Sequence, residues 1–113
     1  MHEMSLAESA MQIIEEAARK QGCKRIRTVW LEIGRLAAVE PEAMRFCFDV
    51  VTRGSIAEGA QLEIVETAGH GKCAQCGCET LVTELYQPCP ECGSHALNVT
   101  GGVALRVKEL EVE

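Results

Sequence analysis

Aromatic side chains are scarce in this chain: one Trp, one Tyr and two Phe among 113 residues. Basic residues are in the minority too, 11 Lys and Arg against 17 Asp and Glu, and apart from Lys24, Arg25 and Arg27 they are scattered. A nucleic-acid surface needs cations to neutralise phosphates and rings on which bases can stack, so a net charge of -6 argues against that class of partner. No run of 18 apolar residues exists, and the start Met1-His2-Glu3-Met4-Ser5 shows no basic region followed by an apolar stretch. The chain is therefore expected to be soluble, with no membrane span, anchor or signal peptide. Also missing are a Ser-His-Asp arrangement, a paired-carboxylate motif, a phosphate-binding loop and a dinucleotide glycine fingerprint. Nothing supports a covalent or nucleotide-dependent enzyme.

What the chain has in excess is cysteine, seven in all. The odd count, the CxxC spacing and the lack of a secretory start point to reduced thiols in a cytosolic compartment rather than a disulfide framework. Four of them form two matched pairs, Cys73-Ala74-Gln75-Cys76-Gly77 and Cys89-Pro90-Glu91-Cys92-Gly93. Two residues between cysteines let both sulfurs of a tight turn reach one ion at roughly 2.3 Å. A glycine after each pair permits positive φ while neighbouring amides point at the sulfurs. The pattern C-x2-C-x12-C-x2-C reads as a zinc ribbon, in preference to iron or a redox-active dithiol. A module of about 30 residues is too small to stand on burial alone, and zinc binding worth roughly 10–16 kcal/mol would decide whether it folds.

Leu6, Ala10, Ile13, Ile14 and Ala17 recur at helical spacing, and Ser5-Leu6-Ala7-Glu8 fits a capping box with Gly22 as the stop. This predicts one amphipathic helix from Ser5 to Gln21, with residues 1–4 at or before its start. Arg25 to Ile33 alternates as a strand, with Val29, Leu31 and Ile33 on one face. Pro41 suits the first position of a second helix, whose buried stripe is Met44, Cys47, Phe48 and Val51 before Gly54. Leu62 and Ile64 mark a second strand, Thr80 to Leu85 a strand of the ribbon, and the run from Val103 to Lys108 a third long strand. The last is too apolar for a tail and should return to the first sheet. The expected fold is α+β: a three-stranded sheet with two helices, spanning 1–68 and 101–113 and interrupted by an inserted zinc-ribbon module over 69–100.

A second candidate site lies at the first residues. A chain beginning Met-His offers a free α-amine, the amide nitrogen of residue 2 and an imidazole, which close a five-membered and then a six-membered chelate ring. Deprotonated amides strongly favour square-planar Ni(II) or Cu(II) over zinc. The fourth position could go to the Glu3 amide, the Glu3 carboxylate, another side chain or water. Methionine aminopeptidases act efficiently only when residue 2 is small, so His2 protects Met1 and keeps its amine. The plain alternative is a solvated histidine, and spacing alone does not decide between them. His70 and His95 flank the cysteine pairs but four cysteines already complete the tetrahedron; Cys78 is a spare thiol, and Cys23 and Cys47 read as core or structural residues.

Several of these segments together resemble the HypA/HybF hydrogenase maturation proteins over essentially the whole chain. They are the start Met1-His2-Glu3-Met4-Ser5-Leu6-Ala7, the strand with Leu31-Glu32-Ile33-Gly34, the helix containing Phe46-Cys47-Phe48, and the knuckles closing with Cys89-Pro90-Glu91-Cys92-Gly93. A zinc ribbon alone is shared by many proteins, but joined to a Met-His-Glu start it is specific. The resemblance implies a cytoplasmic nickel metallochaperone, not an enzyme. It would deliver Ni(II) to the large subunit of [NiFe]-hydrogenase together with a nickel-pathway GTPase, and some family members also serve urease. It implies His2 as the nickel ligand, with the Met1 amine and Glu3 as further donors, and Cys73, Cys76, Cys89 and Cys92 as ligands of a structural Zn(II). It leaves open a monomer or a homodimer. The competing readings are a zinc-ribbon interaction or nucleic-acid-binding adaptor without a nickel site, and a thiol redox protein using one CxxC pair.

Overall fold

A computed structural model describes residues 2–113. Its elements are α1 (His2–Gln21), β1 (Ile26–Gly34), a 3-10 turn (Arg35–Ala37), α2 (Pro41–Thr52), β2 (Gln61–Thr67), β3 (Gly69–Cys73), β4 (Glu79–Val82), β5 (Leu97–Gly101) and β6 (Leu105–Val112). The architecture is α+β, with two helices and two three-stranded sheets. By contacts the described chain falls into two units. One holds the residues up to Glu32 with Val39–Val65 and Leu105–Glu113; the other holds Ile33–Ala38 and Glu66–Ala104.

In the first unit the sheet order is β2-β1-β6, so the last strand of the chain returns beside the first, as its alternation requires. Hydrogen bonding of the Glu113 N–H to the Arg25 carbonyl at one end, and the Glu32–Arg106 pair towards the other, make β1 and β6 antiparallel. Central β1 carries the core: Ile26, Val29 and Leu31 are wholly buried. Thr28, also buried, donates its hydroxyl to the Glu111 carboxylate at 2.7 Å, so its burial leaves no orphaned polar atom. From α2, Met44, Cys47 and Phe48 fill the space as their spacing predicts, whereas Val51, expected on the same stripe, is half-buried and Thr52 beside it is buried instead. That helix starts cleanly because Glu40 accepts the Ala43 N–H at 2.7 Å as N-cap and Pro41, lacking an N–H, stands where one would be orphaned.

Helix α1 differs from its sequence reading in two respects. It is already helical at His2, so Ser5 lies inside it and does not act as the N-cap of a capping box. Packing overrides that local signal: the Glu3 carboxylate accepts the Glu40 N–H at 3.1 Å, and this contact with the start of α2 holds the extra turn in place. The buried stripe is Ala7, Ala10, Met11, Ile14 and Ala18, turned from the expected one, which leaves Ile13 55% exposed. Small Ala side chains at three of those five positions let the helix lie close against α2 and β6.

In the second unit β3 is central, antiparallel to β4 with Gly71 opposite Thr80, and to β5 with Gly71 opposite Val99. The ribbon strand expected over 80–85 is shorter, Glu79–Val82, because Gln87 turns the chain back: its Oε1 accepts the Thr83 N–H at 2.9 Å. No helix among the described residues is long and apolar enough to cross a membrane.

Candidate metal centre

The two cysteine pairs fold into near-identical turns. In the first, the Gly77 N–H donates to the Cys73 carbonyl at 2.9 Å and the Cys73 N–H to the Cys78 carbonyl at 2.9 Å. In the second, the Gly93 N–H donates to the Cys89 carbonyl at 2.8 Å and the Cys89 N–H to the Ser94 carbonyl at 2.8 Å. Each turn closes on a glycine in the left-handed region, Gly77 at φ 76° and Gly93 at φ 75°, where a Cβ would be strained. Within each turn the backbone points N–H groups at sulfur: those of Cys76 and Gln75 at Cys73, and those of Cys92 and Glu91 at Cys89.

β3 and the turn after β4 bring the pairs together. The Sγ atoms of Cys73 and Cys92 are 3.7 Å apart, as are those of Cys76 and Cys89, and all four lie within 4.8 Å of one another. A disulfide needs about 2.05 Å, so neither pair is bonded. A tetrahedron with metal–sulfur bonds of about 2.3 Å has edges of about 3.8 Å, and the observed spacing matches it. The donor set is therefore shaped for a four-thiolate ion. Cys73 and Cys89 are buried while Cys76 and Cys92 are exposed, which gives the site a covered and an open side.

The electrostatics lead to the same conclusion. Hydrogen bonds from the Cys76 N–H and then the Gln75 N–H, outweighing burial, pull the Cys73 thiol down to about 7. The Cys92 N–H likewise lowers Cys89. At Cys76 the Cys78 N–H pulls down, but burial and the sulfurs of Cys89, Cys92 and Cys73 together push the thiol up to about 12. Cys92 is raised against the pull of the Ser94 N–H, by burial and the Cys73 sulfur. Two sulfurs are shifted toward the thiolate and two away from it, because four adjacent negative charges need a cation between them. A divalent ion would supply it, and its binding would displace the remaining protons.

The other candidate ligands stand apart from this cluster. His70 is exposed on β3 and His95 is exposed in the loop before β5; neither joins the four sulfurs. Cys78 is half-buried with its Sγ 3.6 Å from the Glu79 carbonyl, Cys23 is half-buried, and Cys47 is buried in the α2 stripe. Among the described residues no other group of three or more His, Cys, Asp or Glu side chains converges in this way. At the other end of the chain, His2 is exposed in the first turn of α1 and Glu3 is half-buried. The Glu3 carboxyl is held below its ordinary range, first by the Glu40 N–H and then by its own. The Met1 amine, the third donor considered at this end, lies outside the described residues.

Comparison with known proteins places these features in context. The family described as "Hydrogenase/urease nickel incorporation, metallochaperone, hypA" matches residues 1–112. A hydrogenase maturation factor HypA of Azotobacter vinelandii is 58% identical, and one of Dechloromonas aromatica 56% identical, each over 113 residues and the whole of both chains. The solution structure of the Ni metallochaperone HypA from Helicobacter pylori superposes with a TM-score of 0.75 at 27% identity, covering 97% of this chain and 96% of that one. A second solution structure, of a HypA protein, gives 0.75 at 28% identity over 100% and 97% of the two chains.

Proposed function

The chain belongs to the HypA family of hydrogenase and urease nickel-incorporation metallochaperones, and from that membership we propose that it binds Ni(II) at its amino terminus and hands it to the large subunit of [NiFe]-hydrogenase. The ligands are the His2 imidazole and amide with the Met1 amine, and Glu3 is a further donor. Its role is to carry metal, not to catalyse a reaction. The partner in delivery is a GTPase of the nickel pathway, urease maturation proteins are a second destination, and the compartment is the cytoplasm. Seven free cysteines support a reducing environment.

One observation carries this reading: His2 stands exposed at the head of α1, where the first four N–H groups of a helix have no acceptor within it. The backbone nitrogens that a square-planar chelate requires are thus not consumed by helical hydrogen bonds. A bare cation would be disfavoured there by about 0.3–1 kcal/mol, because the helix N-terminus is already positive. A deprotonated amide lowers that cost, since it cancels one of the ion's two positive charges at that end. The helix start therefore favours the amide-nitrogen chelate, and with it nickel, over simple imidazole binding of zinc. An exposed site in a terminal turn also suits release to an acceptor.

Zn(II) is assigned to Cys73, Cys76, Cys89 and Cys92, whose sulfur spacing fits it. A closed four-thiolate ion has no open position for chemistry; what it supplies is the fold of the 69–100 ribbon domain. The remainder, 1–68 and 101–113, is the nickel-binding domain. The test is Ni(II) titration of protein with a native terminus. One equivalent should bind, His2→Ala and an extension before Met1 should each abolish it, and zinc content should stay at one. Stoichiometric nickel binding in both variants would refute the site.

A further inference from the structure

Seven large apolar side chains are exposed among the described residues, and three of them fall within six positions of the second unit: Leu81 (60% exposed), Leu85 (48%) and Tyr86 (94%). Nearly the entire surface of Tyr86, the chain's single tyrosine, is in water. Such exposure usually belongs to a floppy tip, but this loop is fastened. The Gln87 Oε1 accepts the Thr83 N–H at 2.9 Å, the Thr83 hydroxyl at 3.2 Å and the Glu84 N–H at 3.3 Å, while its Nε2 donates to the Leu81 carbonyl at 3.3 Å. One side chain thus holds both ends of the turn and leaves Leu85 and Tyr86 outside it.

The backbone of Tyr86 is left-handed, at φ 67°. That conformation costs a residue with a Cβ about 1–2 kcal/mol, which glycine would avoid. Here the strained position carries a bulky ring that covers none of the protein's own core. Three residues later the chain enters Cys89, so the metal turn fixes where the loop ends.

The loop and the cysteine turn that follows it carry charge of one sign. Between Lys72 and Arg106 there is no Lys or Arg, and Glu84 and Glu91 are exposed, while Glu79 stands opposite Lys72 across β3 and β4. A metal site of four thiolates around a divalent ion adds two further negative charges. An acidic surface repels phosphate backbones and anionic membranes and attracts cationic protein surfaces. Exposed Tyr flanked by Leu on a preorganised loop has the composition of an interface anchor.

We propose that the loop carrying Leu85 and Tyr86 is a docking knob for a partner protein that offers an apolar pocket rimmed by lysine or arginine. Gln87 holds the knob in its binding shape before the partner arrives, which lowers the ordering cost of association. The proposal rests on the nickel-delivery reading only for its choice of probe, the purified hydrogenase large-subunit precursor.

Binding of that precursor to the full-length, metal-loaded chain is measured by calorimetry for wild type, Tyr86→Ala and Tyr86→Gly. The glycine variant removes the ring while easing the backbone, so its loss of binding cannot come from misfolding. The expected result is a tenfold or greater weakening in both variants, a further weakening of wild type with added salt, and unchanged zinc content and nickel titration. Equal affinity of wild type and both variants overturns the knob. Failure of wild type to bind the precursor overturns the assigned occupant, and the nickel titration then judges the delivery reading separately. Tyr86-dependent binding to phosphatidylglycerol vesicles or single-stranded DNA instead of the precursor overturns the cationic-protein assignment.

Discussion

Stripping the four-sulfur site should unfold the second unit and leave the first one folded. The apolar side chains buried in the second unit are few: Ile33, Leu36 and Val82, beside Cys73 and Cys89 of the sulfur cluster. At about 1.5–3 kcal/mol each, the three non-ligand residues supply about 5–9 kcal/mol before any ordering cost. A zinc–thiolate site in so small a module supplies about 10–16 kcal/mol, the larger share. The first unit owes nothing to the four-sulfur site, since Ala7, Ile14, Val29, Leu31, Met44 and Phe48 are all buried within it. The assay is amide hydrogen exchange with and without a strong chelator, under reducing conditions at neutral pH. Amides of β3, β4 and β5 should lose protection to within about tenfold of an unstructured chain, and those of Ile14, Val29 and Leu31 should keep theirs. Persistent protection of β3 in metal-free protein would refute the reasoning, because it would mean that side-chain burial alone folds the ribbon.

Three further outcomes follow from the packing and charge. Gly34→Ala should destabilise by about 3 kcal/mol or more in denaturant melts, since the added methyl would press on the Gly102 carbonyl and sit 2.7 Å from the Val103 nitrogen, both backbone atoms that cannot swing aside. Phe48→Ala should cost about 3–5 kcal/mol of thermal or denaturant stability, because the ring is 2% exposed, and zinc content should be unaffected. Glu32 is held below its ordinary 4.5 first by the hydrogen bond from Arg106, at 2.9 Å, so its contribution is present above that value and lost as pH falls through the lower, folded-state one. Wild type should therefore melt above Glu32→Gln near neutrality, and the two should converge once the pH has fallen below the folded-state value; a difference that persists in stronger acid would contradict the assignment.

Most of the first unit was legible in the sequence because its signals are periodic. Met44, Cys47 and Phe48 mark a helix face, and Val29 and Leu31 a strand, and these periods are set by the packed core itself. The start of α1 was not legible. Ser5 through Glu8 fits a local cap, whereas the contact that decides the matter, Glu3 to Glu40, spans 37 residues. In the second unit the four cysteines announced their cluster through spacing alone, since a metal turn is a local device. Of the strands that carry it, β4 was read from Thr80 onward but β3 and β5 were not: Gly-His-Gly-Lys-Cys in β3 buries alternate positions, yet those are two glycines and a cysteine with no β-branched or aromatic residue to mark a strand. The fastening of the Tyr86 loop was hidden for a similar reason, because a glutamine gives no sign in sequence of which backbone groups it will hold.

The account places two metals in two different donor sets on one chain, and X-ray absorption at both metal edges of a single loaded sample tests this most directly. It predicts zinc surrounded by four sulfurs at about 2.3 Å, and nickel surrounded only by nitrogen and oxygen in a planar four-coordinate site that shows imidazole scattering and disappears in His2→Ala. Sulfur in the nickel shell, or an unchanged nickel spectrum in His2→Ala, would contradict it.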